Sequence, residues 1–394
     1  MSMKFFKRPR FWLPLVVLGL AASLAHSSNP NHGNYKSTHK TKKRKVVPDP
    51  EATGEFANFG QWTEVATFMD MMVAKHGFNK TELESIFRKT RYVDTTIQLM
   101  KPAPPGKPKN WQAYRARFVE PVRIVAGTQF WNKHADALAR AEGLYGVPAE
   151  IIVGILGVET LYGRQAGNFR VLDALTTLAF DYPDTPTRAA RMQFFRSELE
   201  NTLLFARDSG IDPFSLLGSY AGAIGWPQFM PSSIRQYAVD FDGDGKIDLR
   251  NSPVDAIGSI ANFLSQHGWQ RGEPIVFPVT VNSSNTDGAN NTWNTYIGHG
   301  LEAKYKLDEL KNSGVVPGIE PPIDMSFGLV DLQNGLEPTE YWLGTSNFFA
   351  ITQYNRSFFY AMSVVELGRA VRIARDARER QNPTSVLNQM RASN

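Results

Sequence analysis

The chain reads as a mainly α-helical protein with a small α+β insertion, on three observations. Apolar residues recur at helical spacing from Trp111 to about Gly268, broken by Gly and Pro. The texture then changes. EPIVFPVTV, Glu273 to Val281, alternates and is β-branched as a strand should be, and polar Asn/Ser/Thr/Gly-rich residues follow from Asn282 to Asn294. Helical periodicity returns in FFYAMSVVELGRAVRIARDARER, Phe358 to Arg380. These shifts divide the chain into a helical region 51–110, a core 111–269, an insertion 270–345 and a helical return 346–394.

The first 25 residues stand apart. Lys4, Lys7, Arg8 and Arg10 precede an apolar run from Phe11 to Ala25, and no acid is present. The run is shorter than the roughly 20 residues that span a bilayer. Ser23-Leu24-Ala25 offers small residues for cleavage, so residues 1–25 are expected to be a secretory signal. An uncleaved anchor is the rival reading, and Pro14 and the short run oppose it. Without cysteine, disulfides, thiol catalysis and a lipid-modified Cys are excluded. The mature protein is therefore expected to be exported, periplasmic and soluble, with no stable membrane anchor.

The formal charge of +5 misleads as to partners. Residues 26–50 carry six basic residues against Asp49, and read as a disordered basic tether. After Pro50 the chain holds 33 basic and 37 acidic residues, a balance of −4, which removes the global argument for nucleic-acid binding. That body is long enough for two or three domains around a large core.

Along the body, Phe68, Met69, Met72 and Val73 recur at helical spacing, and Thr81 is expected to open a helix with a capping-box look. KPAPPGKPK, Lys101 to Lys109, is a Pro-rich linker or loop. Pro148 to Gly163, PAEIIVGILGVETLYG, reads as an amphipathic helix whose apolar face ends in an acid, Glu159, with Gly163 as its stop. Glu159 shares a face with Ile151 and Ile155. Burial favours the neutral acid, and the negative end of the helix dipole adds to that preference, so Glu159 suits a proton donor near neutral pH. The alternative is a structural Glu folded onto an arginine such as Arg164.

Two further segments carry chemistry. GSYAGAIGWPQFMPSS, Gly218 to Ser233, is irregular backbone that brings main chain close to something, either a cleft wall or a tight turn between helices. DFDGDGKID, Asp240 to Asp248, matches a calcium loop, with acids at the first, third, fifth and ninth places and Gly245 at the sixth. Its twelfth place is Asn251 rather than Glu, so the closing carboxylate must come from elsewhere, and Asp255 is nearest. A plain DGDG turn is the alternative.

Taken together, YGVPAEIIVGILGVET, AGAIGWPQFMPSS, YAVDFDGDGKIDL, PVDAIGSIANFL and ITQYNRS resemble the lytic transglycosylase B family, glycoside hydrolase family 103. The likeness runs from about Trp111 to Trp269 and again from Asn347 to Leu367. It implies a lysozyme-like catalytic core, peptidoglycan glycan strands as substrate, and Glu159 as the single acid/base. It also implies that no cofactor is needed for catalysis. Tyr114 matches a cleft tyrosine, and Ser219, Gln228 and Phe229 match residues lining the sugar sites. Tyr354, Asn355 and Tyr360 match a late cluster near the acid. Arg191 matches one of a pair of arginines whose neighbour here is Ala190. Phe263 stands where a tyrosine is often found. A structural calcium ion is implied on Asp240, Asp242, Asp244, the Lys246 carbonyl and Asp255. The rival activities are hydrolysis on the same fold and non-catalytic wall binding. Protein partners are not indicated.

Overall fold

Helix α7 (Ala149–Thr160) shows how the sequence builds the centre of the molecule. All of its residues are buried but Glu150 and Glu159, so it is covered on every side rather than amphipathic. Helix α14 (Phe358–Gln381) lies along it. Two glycines permit that approach. A Cβ on Gly154 would stand 2.3 Å from the Val364 carbonyl oxygen, and one on Gly368 would stand 2.2 Å from that of Glu150. Backbone therefore packs against backbone at two points along the pair.

The computed structural model describes residues 58–102, 108–282 and 292–381. The expected signal segment, the basic tether and the middle of the Pro-rich stretch lie outside the described residues. At the amino-terminal side, α1 (Thr63–His76) packs on α2 (Lys80–Lys89), and α3 (Asp94–Met100) packs on α8 (Val171–Phe180). Phe68 meets Phe87 and Phe180 edge-on, each with centroids 6.0 Å apart. The expected start of α2 is corrected by one residue. Asn79, not Thr81, caps it, accepting the Glu82 N–H at 3.1 Å.

The remaining helices of the body are α4 (Trp111–Arg115), α5 (Pro121–Lys133), α6 (Ala135–Tyr145), α9 (Arg188–Asp208), α10 (Pro231–Tyr237) and α11 (Pro253–Gln266). A two-residue pair, β1 (Phe169–Arg170) and β2 (Leu217–Gly218), brings the start of the Gly-rich segment to the chain that follows α7.

The insertion is a five-stranded antiparallel sheet of order β4-β6-β7-β3-β5. Its strands are β3 (Val276–Val281), β4 (Tyr305–Lys306), β5 (Val315–Pro317), β6 (Ser326–Asn334) and β7 (Glu337–Gly344), with the short α12 (Leu307–Asn312) between β4 and β5. Strand β6 is buried on both faces, which the period of two explains. Phe327 and Leu329 join a small core with Leu307, Leu310 and Leu343, while Val330 and Leu332 face the main core. The β6–β7 hairpin tip grips the start of α4, where Asn334 Oδ1 accepts the Gln112 N–H at 3.1 Å. Helix α13 (Ser346–Tyr354) and α14 return the chain to the core.

Candidate active site

Glu159 sits one residue before the end of α7 and keeps part of its surface open to solvent. The carboxyl group itself is deeply enclosed. Burial pushes its pKa up to about 7, against a smaller downward effect of its hydrogen bond from Tyr360. The Tyr360 hydroxyl donates to Glu159 Oε1 at 2.6 Å. Among the described residues no arginine or lysine binds the acid. Arg164 is exposed, and Arg123 instead donates to the Gly157 carbonyl at 3.1 Å, near the helix end. The alternative of a permanent ion pair is therefore removed.

The helix does not stop at Gly163 as expected. It stops at Leu161, which is left-handed with φ 49°, and Tyr162 follows at φ 55°. Two consecutive non-glycine residues in that region are costly and must be held by their surroundings. Gly163, at φ 81°, continues the turn.

Three tyrosines surround the acid. Tyr360 and Tyr354 stack with centroids 6.3 Å apart and planes 13° apart. Burial raises both phenols well above their usual range, and the Glu159 charge raises them further. Tyr114, on α4, is pushed up to about 12, again chiefly by burial, with the Glu159 charge contributing. All three remain neutral donors at physiological pH.

The other sequence-predicted residues divide between the wall of the site and its backing. Phe229 and Phe263 are only 2% and 6% exposed. They pack behind Tyr354, with centroids 5.7 and 5.0 Å away, and so back the wall of the site instead of presenting faces to a sugar. Ser219 is buried, and its Oγ accepts the Ala223 N–H at 3.0 Å, which pins the Gly-rich turn. Gln228 is left-handed at φ 52°, and its amide nitrogen donates to the carbonyls of Ala166 at 3.1 Å and Gly225 at 2.9 Å. Both of its N–H groups are thereby engaged, leaving Oε1 for a ligand. Asn355 is buried at the end of α13. Arg191 lies on α9 over the rings of Tyr182, Phe194 and Phe195, with no interaction to Glu159 among the described contacts.

Asp173 and Asp181, the other acids near Glu159 in sequence, hold the amino-terminal helices. Asp173 pairs with Arg170 at 2.6 Å and accepts the Arg91 N–H, and Asp181 accepts the Tyr92 hydroxyl at 2.7 Å. Among the described contacts, neither of these carboxylates approaches Glu159.

The acidic loop has carboxylate oxygens of Asp240, Asp242 and Asp244 within 4.8 Å of one another, all exposed. This is an all-oxygen donor set of the kind hard divalent cations prefer. Asp255 is not in that group. It is 1% exposed, and its oxygens accept the N–H groups of Phe241 at 2.8 Å, Asp242 at 3.2 Å and Asp248 at 2.8 Å. The expected fifth ligand is in this structure a brace for the loop.

Residues 60–369 match the family described as Transglycosylase SLT domain. The chain belongs to this family. It is 41% identical over 380 residues to membrane-bound lytic murein transglycosylase B of Escherichia coli K12, covering 92% of this chain and 97% of the relative. The crystal structure of soluble lytic transglycosylase SltB1 from Pseudomonas aeruginosa superposes with a TM-score of 0.71 at 44% identity, over 79% of this chain and 99% of that one. The E. coli lytic transglycosylase Slt35, solved in complex with calcium, gives 0.70 at 41% identity, over 84% and 99%. The resemblance seen in the motifs is thereby borne out, as is the mainly α-helical, lysozyme-like fold.

For this transglycosylase-family chain, sequence reasoning missed Thr160 and Trp226. The signals were present, in the hydroxyl residue directly after the acid and in the one indole within the Gly-rich segment. Neither signal says that the two residues meet.

Proposed function

We propose that this chain is a lytic transglycosylase acting on peptidoglycan. It cleaves the β-1,4 bond between N-acetylmuramic acid and N-acetylglucosamine. The observation that carries the reading is the enclosed Glu159 carboxyl, neutral up to about pH 7, with a tyrosine donor and no ion pair. A glycosidic bond breaks through an oxocarbenium-like state, and the leaving oxygen must gain a proton. Glu159 supplies it. With no second carboxylate beside the acid among the described residues, the substrate's own N-acetyl group is assigned the nucleophile's part. Glu159, now a carboxylate that accepts the Tyr360 hydrogen bond, takes the proton of the muramic C6 hydroxyl. The C6 oxygen bonds to C1, the N-acetyl oxygen leaves, and a 1,6-anhydro sugar results without consumption of water. Tyr114, Tyr354, the Gln228 oxygen, Ser219, Asn355 and Arg191 are assigned to the sugar and stem-peptide side of the cleft.

Mass spectrometry of soluble products from purified peptidoglycan tests this. Muropeptides one water lighter than the hydrolysis products are expected, and products carrying that water would mark a hydrolytic muramidase.

The acidic loop is assigned a structural calcium ion on Asp240, Asp242, Asp244 and the Lys246 carbonyl, with Asp255 bracing the loop from behind. No catalytic step is assigned to it. At a hundredfold excess over Kd, a ligand that binds only the folded state stabilises by about 2.7 kcal/mol. Calcium is therefore expected to raise Tm by a few degrees over chelated protein, and an unchanged Tm would remove the assignment.

Among the described residues no single helix is long and apolar enough to cross a membrane. Export through the 1–25 segment and a periplasmic location accord with a peptidoglycan substrate. The boundaries at 269 and 345 accord with the small separate core of the sheet.

A further inference from the structure

Three strained or enclosed features meet at one residue. The hydroxyl of Thr160, the residue directly after the acid, donates to the Trp226 carbonyl at 3.0 Å. The same oxygen accepts the Gly163 N–H at 3.0 Å, so it ties both ends of the left-handed turn at Leu161 and Tyr162. The indole of Trp226 covers that turn from outside. A Cβ on Gly163 would stand 2.5 Å from the ring, which leaves room there for glycine alone. The other side of Trp226 is fixed to the end of the acidic loop. Its main-chain N–H donates to the Leu249 carbonyl at 2.8 Å and its indole N–H to the Arg250 carbonyl at 2.9 Å. The next residue, Pro227, offers its carbonyl to the Tyr354 hydroxyl, and Tyr354 stacks on the tyrosine that binds Glu159.

We infer that Trp226 is a positioning residue for Glu159, joining the exit of the acidic loop to the strained turn behind the acid and to the tyrosine pair in front of it. Among its described contacts none is to the carboxyl. Its effect runs through Thr160 on one side and through Pro227 and Tyr354 on the other. The strain explains why such a tie is needed. Two adjacent left-handed non-glycine residues are strained, and they persist only when their surroundings over-determine them. If the turn relaxed, the last turn of α7 would fray, water would reach the acid, and its preference for the neutral form would fall. The loop that the proposed function assigns to calcium thus has a mechanical path to the proton donor, so the inference deepens that reading and rests on it for the identity of the reaction.

The decisive variant is Thr160→Val, nearly the same shape without the hydroxyl, with Thr160→Ser as the rescue. Glu159 is titrated directly by carbon NMR of glutamate-labelled protein, its resonance assigned by its absence in Glu159→Gln. In T160V the midpoint is expected to fall by about half a unit or more as water enters. The same variant should lose about 10- to 100-fold in kcat with KM within about twofold, because orientation and not sugar binding is lost. T160S should return most of both. Trp226→Phe keeps a ring over Gly163 but drops the bond to Arg250, and a loss of about threefold or more in kcat is expected. A T160V protein with native circular dichroism, an unmoved midpoint and near-normal kcat would overturn the inference. Should T160V not fold, W226F with unmoved midpoint and rate overturns it equally. The titration needs no knowledge of the product, so a hydrolytic product would defeat the transglycosylase mechanism while leaving the positioning role standing or falling on its own.

Discussion

Glu159→Gln should lower turnover by about 10³-fold or more while leaving the far-ultraviolet circular dichroism unchanged. Glutamine has the same shape, and its carbonyl oxygen can still accept the Tyr360 hydroxyl now held at 2.6 Å. What it lacks is the proton in the first step and the base in the second. The pH dependence carries the same signature. Glu159 must begin protonated, so wild-type activity should fall as pH rises through about 7. The sign for stability follows from linkage. The folded protein holds this proton up to about pH 7, whereas an unfolded chain releases it near 4.5. Stability from the neutral acid is therefore fully present below pH 4.5 and is lost as pH rises through 7. A shift of that size corresponds to roughly 3 kcal/mol. The glutamine variant should consequently melt above wild type at pH 8 and close to it at pH 4.5. An active E159Q protein, or one with no stability gain at pH 8, would remove the acid from the scheme.

The second large effect is expected at Asp255, on stability. Its buried carboxylate accepts three main-chain N–H groups from both ends of the acidic loop. It also stands in the first turn of α11, whose positive end favours a negative charge there. Asp255→Ala removes the acceptors together and should cost about 3 kcal/mol or more, measured by urea unfolding in the presence of a chelator. Asp255→Asn keeps one oxygen and should cost less. Chelation isolates the brace from any metal, so equal stability of Asp255→Ala and wild type under those conditions would mean that the loop is not held this way.

Much of the fold was legible because it rests on local periodicity. Helix α7 carries an apolar run from Ile151 to Val158, β3 is rich in β-branched residues, and α14 shows helical spacing. The acidic loop was legible because its spacing is a chemical requirement. The differences have a common origin. Phe229 was set among residues lining the sugar sites because an aromatic ring reads identically whether it lines a cleft or backs one. Asp255 was read as a ligand because loop spacing identifies a nearby carboxylate but not the amides that already engage it. The end of α7 was placed at Gly163 because glycine is the ordinary left-handed residue, whereas the chain turns at Leu161, held by contacts from distant segments.

The sequence by itself determined the helical architecture and the sheet insertion, which follow from residue type and spacing along the chain, and its longer motifs carried the family resemblance. The tertiary structure alone decided that Glu159 is bound by a tyrosine and not paired with an arginine. It also decided that Asp173 and Asp181 belong to helix docking, and that Trp226 links the acidic loop to the acid. A carboxyl's protonation and reach depend on what lies within a few ångströms of it in space, and Tyr360 stands 201 residues away along the chain.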